Sequence, residues 1–268
     1  MMKHKFAFAA SLIAMTPAFA QAPDIDLAGY RAVYEISFES SDSNSGIIGA
    51  EGRYVFDVDD ACEGYATNER FVVRLARAED PIVQDYRLTA FEAADGAQYR
   101  FTRTIELNGL TGQKASGELV VDSDKSSAHV DYAEADDQTY EDAVLTPVAH
   151  IRELLATAKS GENRHAAMIF DGDVDSPIFY AVTRIMSANP DLDTEGDAQE
   201  ALEDLARWKI DTVYYPPETG EEGEGATPKF LFEAVLFENG VLTDLKLDYV
   251  DFALKATLSD LEVRASDC

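Results

Sequence analysis

A period-two alternation of apolar and polar residues recurs along most of the chain, and it restricts the possible folds more than any other feature. In Tyr30–Phe38, the side chains of Tyr30, Ala32, Tyr34, Ile36 and Phe38 share one face, while Arg31, Glu35 and Ser37 occupy the other. That is the signature of a half-buried strand. The pattern returns at 53–58, 70–75, 86–91, 98–107, 117–121, 129–132, 167–170 and 178–186, and again at 208–214, 230–237, 242–249 and 252–263. Between these runs sit Asp95-Gly96, Asn108-Gly109 and Asn239-Gly240, dipeptides suited to hairpin turns. Many short strands joined by tight turns predict a mainly β chain. Its sheet should be curled or barrel-like rather than built from βαβ units. The length is compatible with two domains, but large barrels often run this long as one, and residues 21–268 read as a single domain.

The pattern changes period at about 147–160. Val148, Ile151, Leu154, Leu155 and Ala158 form an apolar stripe at helical spacing. Thr146 is placed to cap this helix, Pro147 suits its first turn and Gly161 its end. A second helix is expected from Asp197 to Arg207, and Pro216–Pro228 reads as a long polar loop.

The first twenty residues read as a secretory signal. Lys3 and Lys5 precede the apolar run Phe6–Met15, and Ala18-Phe19-Ala20 fits a small-x-small cleavage site. The apolar run is too short to span a bilayer, which takes about 20 residues. The expectation is a soluble periplasmic protein beginning at Gln21. After loss of Lys3 and Lys5, 20 basic residues face 51 acidic ones, a net charge of −31. Phosphate recognition needs Lys and Arg, so nucleic acid is an unsuitable partner for such a chain.

Cys62 and Cys268 are the two cysteines, an even number in an oxidising compartment. A disulfide is the ordinary reading, with two buried free thiols as the alternative. No CxxC is present, and His129, His150 and His165 show no metal-ligand spacing with either cysteine. Asp171-Gly172-Asp173-Val174-Asp175 opens like a calcium loop. The sixth and twelfth positions are Ser176 and Val182, where such a loop needs Gly and Glu. The segment therefore reads as an acidic turn without a metal. Asp57, Asp59 and Asp60 before Cys62 could hold a cation only weakly. His150 lacks a nucleophile motif to serve and reads as a packing residue. No catalytic or cofactor-binding residue is assigned. The 14 Phe, 12 Tyr and one Trp fall largely on alternating strand positions. They fit either a filled core or a hydrophobic concavity able to take an acyl chain or a partner's segment.

Three stretches together resemble the cell envelope integrity EipB family of the alphaproteobacterial periplasm. The first comprises Tyr30-Arg31-Ala32-Val33-Tyr34, Gly52-Arg53-Tyr54-Val55-Phe56, Ala61-Cys62-Glu63-Gly64-Tyr65 and Arg70-Phe71-Val72. The second is Thr146-Pro147-Val148-Ala149-His150 with Phe170-Asp171-Gly172. The family pattern there is closer to Phe-Pro-Thr-x-His, from which Thr146 and Val148 depart. The third runs from Leu236-Phe237-Glu238-Asn239-Gly240-Val241 through Leu247–Phe252 to Cys268. The resemblance implies an open, barrel-like β-spiral of antiparallel strands around a central helix at about 147–160. It also implies a disulfide between Cys62 and Cys268, no cofactor, and a non-enzymatic role in envelope integrity. A scaffold with an envelope protein partner is the first expectation. A carrier of lipid or lipoprotein acyl chains is the second, and an envelope polymer hydrolase the third.

Overall fold

In the computed structural model, which describes residues 25–266 apart from 176, 192, 193, 195 and 220–225, fifteen strands form one continuous sheet. The first half contains β1 (Gly29–Ser41), β2 (Ile47–Asp60), β3 (Gly64–Arg77), β4 (Ile82–Ala93), β5 (Gln98–Leu107), β6 (Leu110–Val121), β7 (Ala128–Tyr132), β8 (Gln138–Tyr140) and β9 (Val144–Leu145). After the helix α1 (Pro147–Ser160) come β10 (Arg164–Phe170), β11 (Ile178–Ala188), the short helix α2 (Asp197–Leu202), β12 (Arg207–Tyr215), β13 (Phe230–Phe237), β14 (Leu242–Asp248) and β15 (Phe252–Arg264). The proposed signal segment 1–20 and Cys268 lie outside the described residues.

The spatial order is β8-β7-β6-β5-β4-β3-β2-β1-β15-β14-β13-β12-β11-β10-β9. Neighbours are antiparallel throughout, except that the two-residue β9 runs parallel to β10. The first strand thus lies mid-sheet, paired on one side with β2 and on the other with the last strand. This arrangement is the barrel-like sheet expected from the strand pattern and the winding that the family resemblance implies.

The two ends of the sheet overlap. Met168 and Phe170 of β10 sit opposite Tyr180 and Ile178, on the face away from His165, Ala167 and Ile169. That outward face is covered by Leu88, Tyr99, Phe101, Leu119, Val130 and Tyr132 of β4–β7, which form a second apolar core with Phe170. Phe101 meets Phe170 edge-on with ring centroids 5.4 Å apart. The sheet therefore winds past closure, giving a spiral with its outer turn packed on its inner one. The larger core fills the lumen, where Tyr30, Ala32, Tyr34 and Ile36 meet Leu154, Leu155 and Ala158 of α1.

The turns segregate by end. The described residues of the turns 42–46, 78–81, 108–109, 171–177, 216–229 and 249–251 gather at one mouth, as the antiparallel register requires. At the other end α1 forms a plug. Gly96 in the β4–β5 turn lies under Ala149 and Thr146, and Lys159 pairs with Glu238 at 3.6 Å. Gly161 ends α1 at φ 84°, with its N–H bonded to the carbonyl of Ala158. Asn108 and Gly109 both take positive φ in a two-residue hairpin, as their sequence predicts.

Two sequence expectations are corrected. The second helix stops at Leu202 rather than Arg207, because the chain turns there to enter β12 in register with β13. Arg207 instead donates through Nε to the Pro190 carbonyl at 2.8 Å and stacks over the Phe237 ring. Thr146 occupies the capping position of α1 but makes no side-chain cap of its own.

Candidate functional site at the barrel mouth and lumen

Strand parity places three charged side chains on the inner face of the sheet. Glu92 of β4 follows Leu88 and Ala90, Arg103 of β5 follows Tyr99 and Phe101, and Glu69 of β3 lies between Thr67 and Phe71. Asp171 joins them from the turn after β10.

Glu92 is 2% exposed and takes over the cap that Thr146 leaves unmade. Its Oε1 accepts from the Thr146 hydroxyl at 2.5 Å and the Ala149 N–H at 2.8 Å, and its Oε2 accepts from the Val148 N–H at 2.9 Å. A carboxylate from a distant strand thus satisfies the free donors of the helix N-terminus, where its charge is also favoured. Burial pushes its pKa up to about 7, against the opposing pull of these hydrogen bonds and of Arg152.

Arg103 bridges the acidic turn to the outer layer of the spiral. Its Nη1 donates to Asp171 Oδ2 at 2.5 Å, its Nη2 lies 3.3 Å from Asp173, and its guanidinium sits 5.5 Å from the Tyr86 ring centroid. The sequence alone did not identify this partner. The calcium-like segment is therefore an arginine-bound turn, further fixed by the Tyr132 hydroxyl on the Asp173 carbonyl at 3.0 Å. Calorimetric titration with calcium at micromolar concentration is expected to show no stoichiometric heat. A one-to-one isotherm lost in Asp173→Ala would contradict this.

Glu69 accepts from the Tyr54 hydroxyl at 3.2 Å, and burial raises its pKa to about 7. Near the mouth, Tyr214, Phe230, Tyr249 and Phe252 form a continuous aromatic wall with successive centroids 5.3, 5.2 and 5.0 Å apart. Tyr249 is 38% exposed, yet loss of hydration raises its pKa to about 12. Asp171 shows the same combination, with 43% of its side-chain surface accessible and its pKa raised by burial. The aromatic residues therefore divide between a filled core near α1 and an open wall at the mouth.

His150 is buried in α1 with its ring centroid 5.6 Å from that of His165, and burial followed by the His165 charge lowers its pKa to about 3. His165 in turn lies 3.1 Å from Glu153. His150 is thus packed within the protein against His165. His129 is exposed on the outer surface, where with Asp131 and Asp137 it forms a trio whose ligand atoms lie within 4.8 Å of one another. His129 is held there by Thr139 at 2.9 Å and Asp131 at 2.8 Å. Asp57 and Asp59 are bound by Arg264. Asp60 accepts from the Cys62 N–H at 3.0 Å and the Ser266 hydroxyl at 2.7 Å. Cys62 is exposed at the turn after β2, with φ 64°.

A family description, EipB-like, matches residues 21–265. The chain belongs to the EipB-like family. The cell envelope integrity protein EipB of Brucella abortus is 28% identical over 245 residues, an alignment covering 89% of this chain and 85% of that one. A crystal structure of a β-barrel-like protein of a domain of unknown function, also from Brucella abortus, superposes with a TM-score of 0.80 at 25% identity. It covers 90% of this chain and 100% of that one. The EipB-like fold is thus the mainly β, barrel-like winding described above. Among the described residues, no helix is long and apolar enough to cross a membrane.

Proposed function

We propose that this chain is a non-enzymatic periplasmic protein that maintains cell envelope integrity by holding an envelope partner at its open mouth. The observation that carries the reading is the near full-length similarity to a protein named for envelope integrity. The polar groups of the lumen support it. Glu92 caps α1, Arg103 holds the 171–173 turn, and His150 packs on His165, so these groups already have structural work. The partly exposed aromatic wall also favours a second reading, that of an acyl-chain carrier, because a solvent-accessible apolar surface suits an acyl chain. The test of the first reading is a deletion strain challenged with detergent and with a cell-wall antibiotic. Sensitivity restored to wild-type resistance by the full-length gene is expected. Unchanged resistance of the deletion strain would overturn it. Fractionation with N-terminal sequencing should recover the protein in the periplasm starting at Gln21.

A further inference from the structure

The apolar side chains left in solvent are not scattered. Of the nine large ones exposed among the described residues, six (Ile48, Val83, Leu107, Leu110, Tyr249 and Val250) sit where strands meet the turns of the mouth. Leu110 is 74% exposed and Ile48 is 67% exposed. Of these, Tyr249 is also part of the wall it forms with Phe230, Tyr214 and Phe252. Leaving this much apolar surface clustered in water is unfavourable and marks an interaction surface. The opposite end, plugged by α1, carries the other three, Val120, Met186 and Val263.

The charge around the rim is one-sided. The turns between these strands carry Asp42, Glu79, Asp80 and Asp251, and the 171–175 turn adds three more aspartates. Lys229 is the sole base in the described parts of the same turns. Inside, Glu69 and the Asp171–Asp173 pair outnumber Arg103. An apolar surface ringed by carboxylates repels fatty-acid and phospholipid head groups that carry negative charge, and it attracts ammonium and guanidinium groups. Aromatic faces add attraction for the same cations. Polypeptide joins apolar side chains to such cations without an accompanying phosphate.

We infer that the mouth binds an apolar polypeptide segment bearing lysine or arginine. Its aliphatic side chains seat on Leu107, Leu110, Tyr249 and Val250, and its cations face Asp42, Glu79, Asp80 and Asp251 of the acidic turns. This deepens the interaction reading given above, since it names the chemistry of the partner.

The test uses the protein purified from the envelope and a fluorescein-labelled ten-residue peptide in which leucine and valine alternate with threonine and two lysines. Fluorescence anisotropy should report saturable binding. The counterpart with both lysines replaced by glutamate should bind at least about tenfold more weakly. Raising salt from about 0.05 to 0.5 M should weaken the lysine peptide several-fold, as screening of exposed charges requires. The variant Leu110→Ser with Val250→Ser changes only exposed tips, so it should keep the wild-type melting temperature and lose about tenfold in affinity. Equal binding of the two peptides, or no binding of either, would overturn the inference. Saturable oleate binding without peptide binding would assign the mouth to acyl chains instead and overturn it equally. Absent peptide binding with intact genetic complementation would reject this partner chemistry alone. A deletion strain of normal resistance would reject the envelope reading itself.

Discussion

Replacing Cys62 with serine is expected to lower stability by up to about 5 kcal/mol, the chain-entropy value for a loop of this length. The proposed bond to Cys268 would enclose 205 residues. That effect is comparable to the roughly 5–15 kcal/mol that separates a typical folded domain from its unfolded chain. The support is geometric. Arg264 donates to Asp57 at 2.8 Å, and the Ser266 hydroxyl reaches Asp60 at 2.7 Å, so the tail is already tied beside the turn that presents Cys62. One residue, Ala61, lies between Asp60 and Cys62, and one, Asp267, between Ser266 and Cys268. A covalent link there would fix the end of β15, which otherwise would fray as chain ends do. The strand pairs with β1 in the middle of the sheet, so its loosening exposes the core on both sides. Cys62→Ser and Cys268→Ser should each lower the melting temperature and open the C-terminal segment to proteases, and the double variant should be no worse than either. Two titratable thiols in denatured, non-reduced protein would sink the pairing.

The strands were legible because alternation is a local property. Each long run in the sequence lies within an observed strand, save that 242–249 passes the end of β14 by one residue, and the dipeptide Asn108-Gly109 marks its hairpin correctly. β8 and β9, with three and two residues, are too short for any alternation to show. The overlap of the spiral was not legible, and β10 shows why. In Arg164–Phe170 both parities carry apolar residues, since one face meets the lumen and the other the outer layer. Sequence alone cannot tell this from a strand sandwiched in a flat sheet.

The luminal charges were partly legible. Glu92 and Arg103 occupy the apolar parity of their strands, and a charge there demands a buried partner. The parity gives the demand but not the partner. Thr146 lies 54 residues beyond Glu92, and Asp171 lies 68 beyond Arg103, so only the winding of the sheet brings each pair together. The same limit hid the mouth. The exposure of Leu107, Leu110 and Val250 follows from where the hairpins end, not from their composition.

Glu92→Ala should destabilise the protein by about 3 kcal/mol at neutral pH, because it strands three donors at roughly 1 kcal/mol each. Those donors are the fully buried Thr146 hydroxyl and the N–H groups of Val148 and Ala149. The β4–β5 turn has no other acid to replace it, as Asp95 already accepts from the Ala97 N–H. Glu92→Gln should cost less, since the amide oxygen still accepts on one side while its NH2 group faces a backbone N–H on the other. The pH dependence has a definite sign. The folded pKa of about 7 lies above the ordinary 4.5, so between these values the folded state holds the proton that the unfolded state has released. Stability from this group is therefore highest below about pH 4.5 and falls as pH rises towards 7. Glu69, also raised to about 7, contributes a slope of the same direction. Glu92→Gln should therefore flatten, without abolishing, the decline of the urea midpoint between pH 4.5 and 7. An unaltered slope in Glu92→Gln would mean that the carboxyl stays ionised throughout that window, held so by the helix donors.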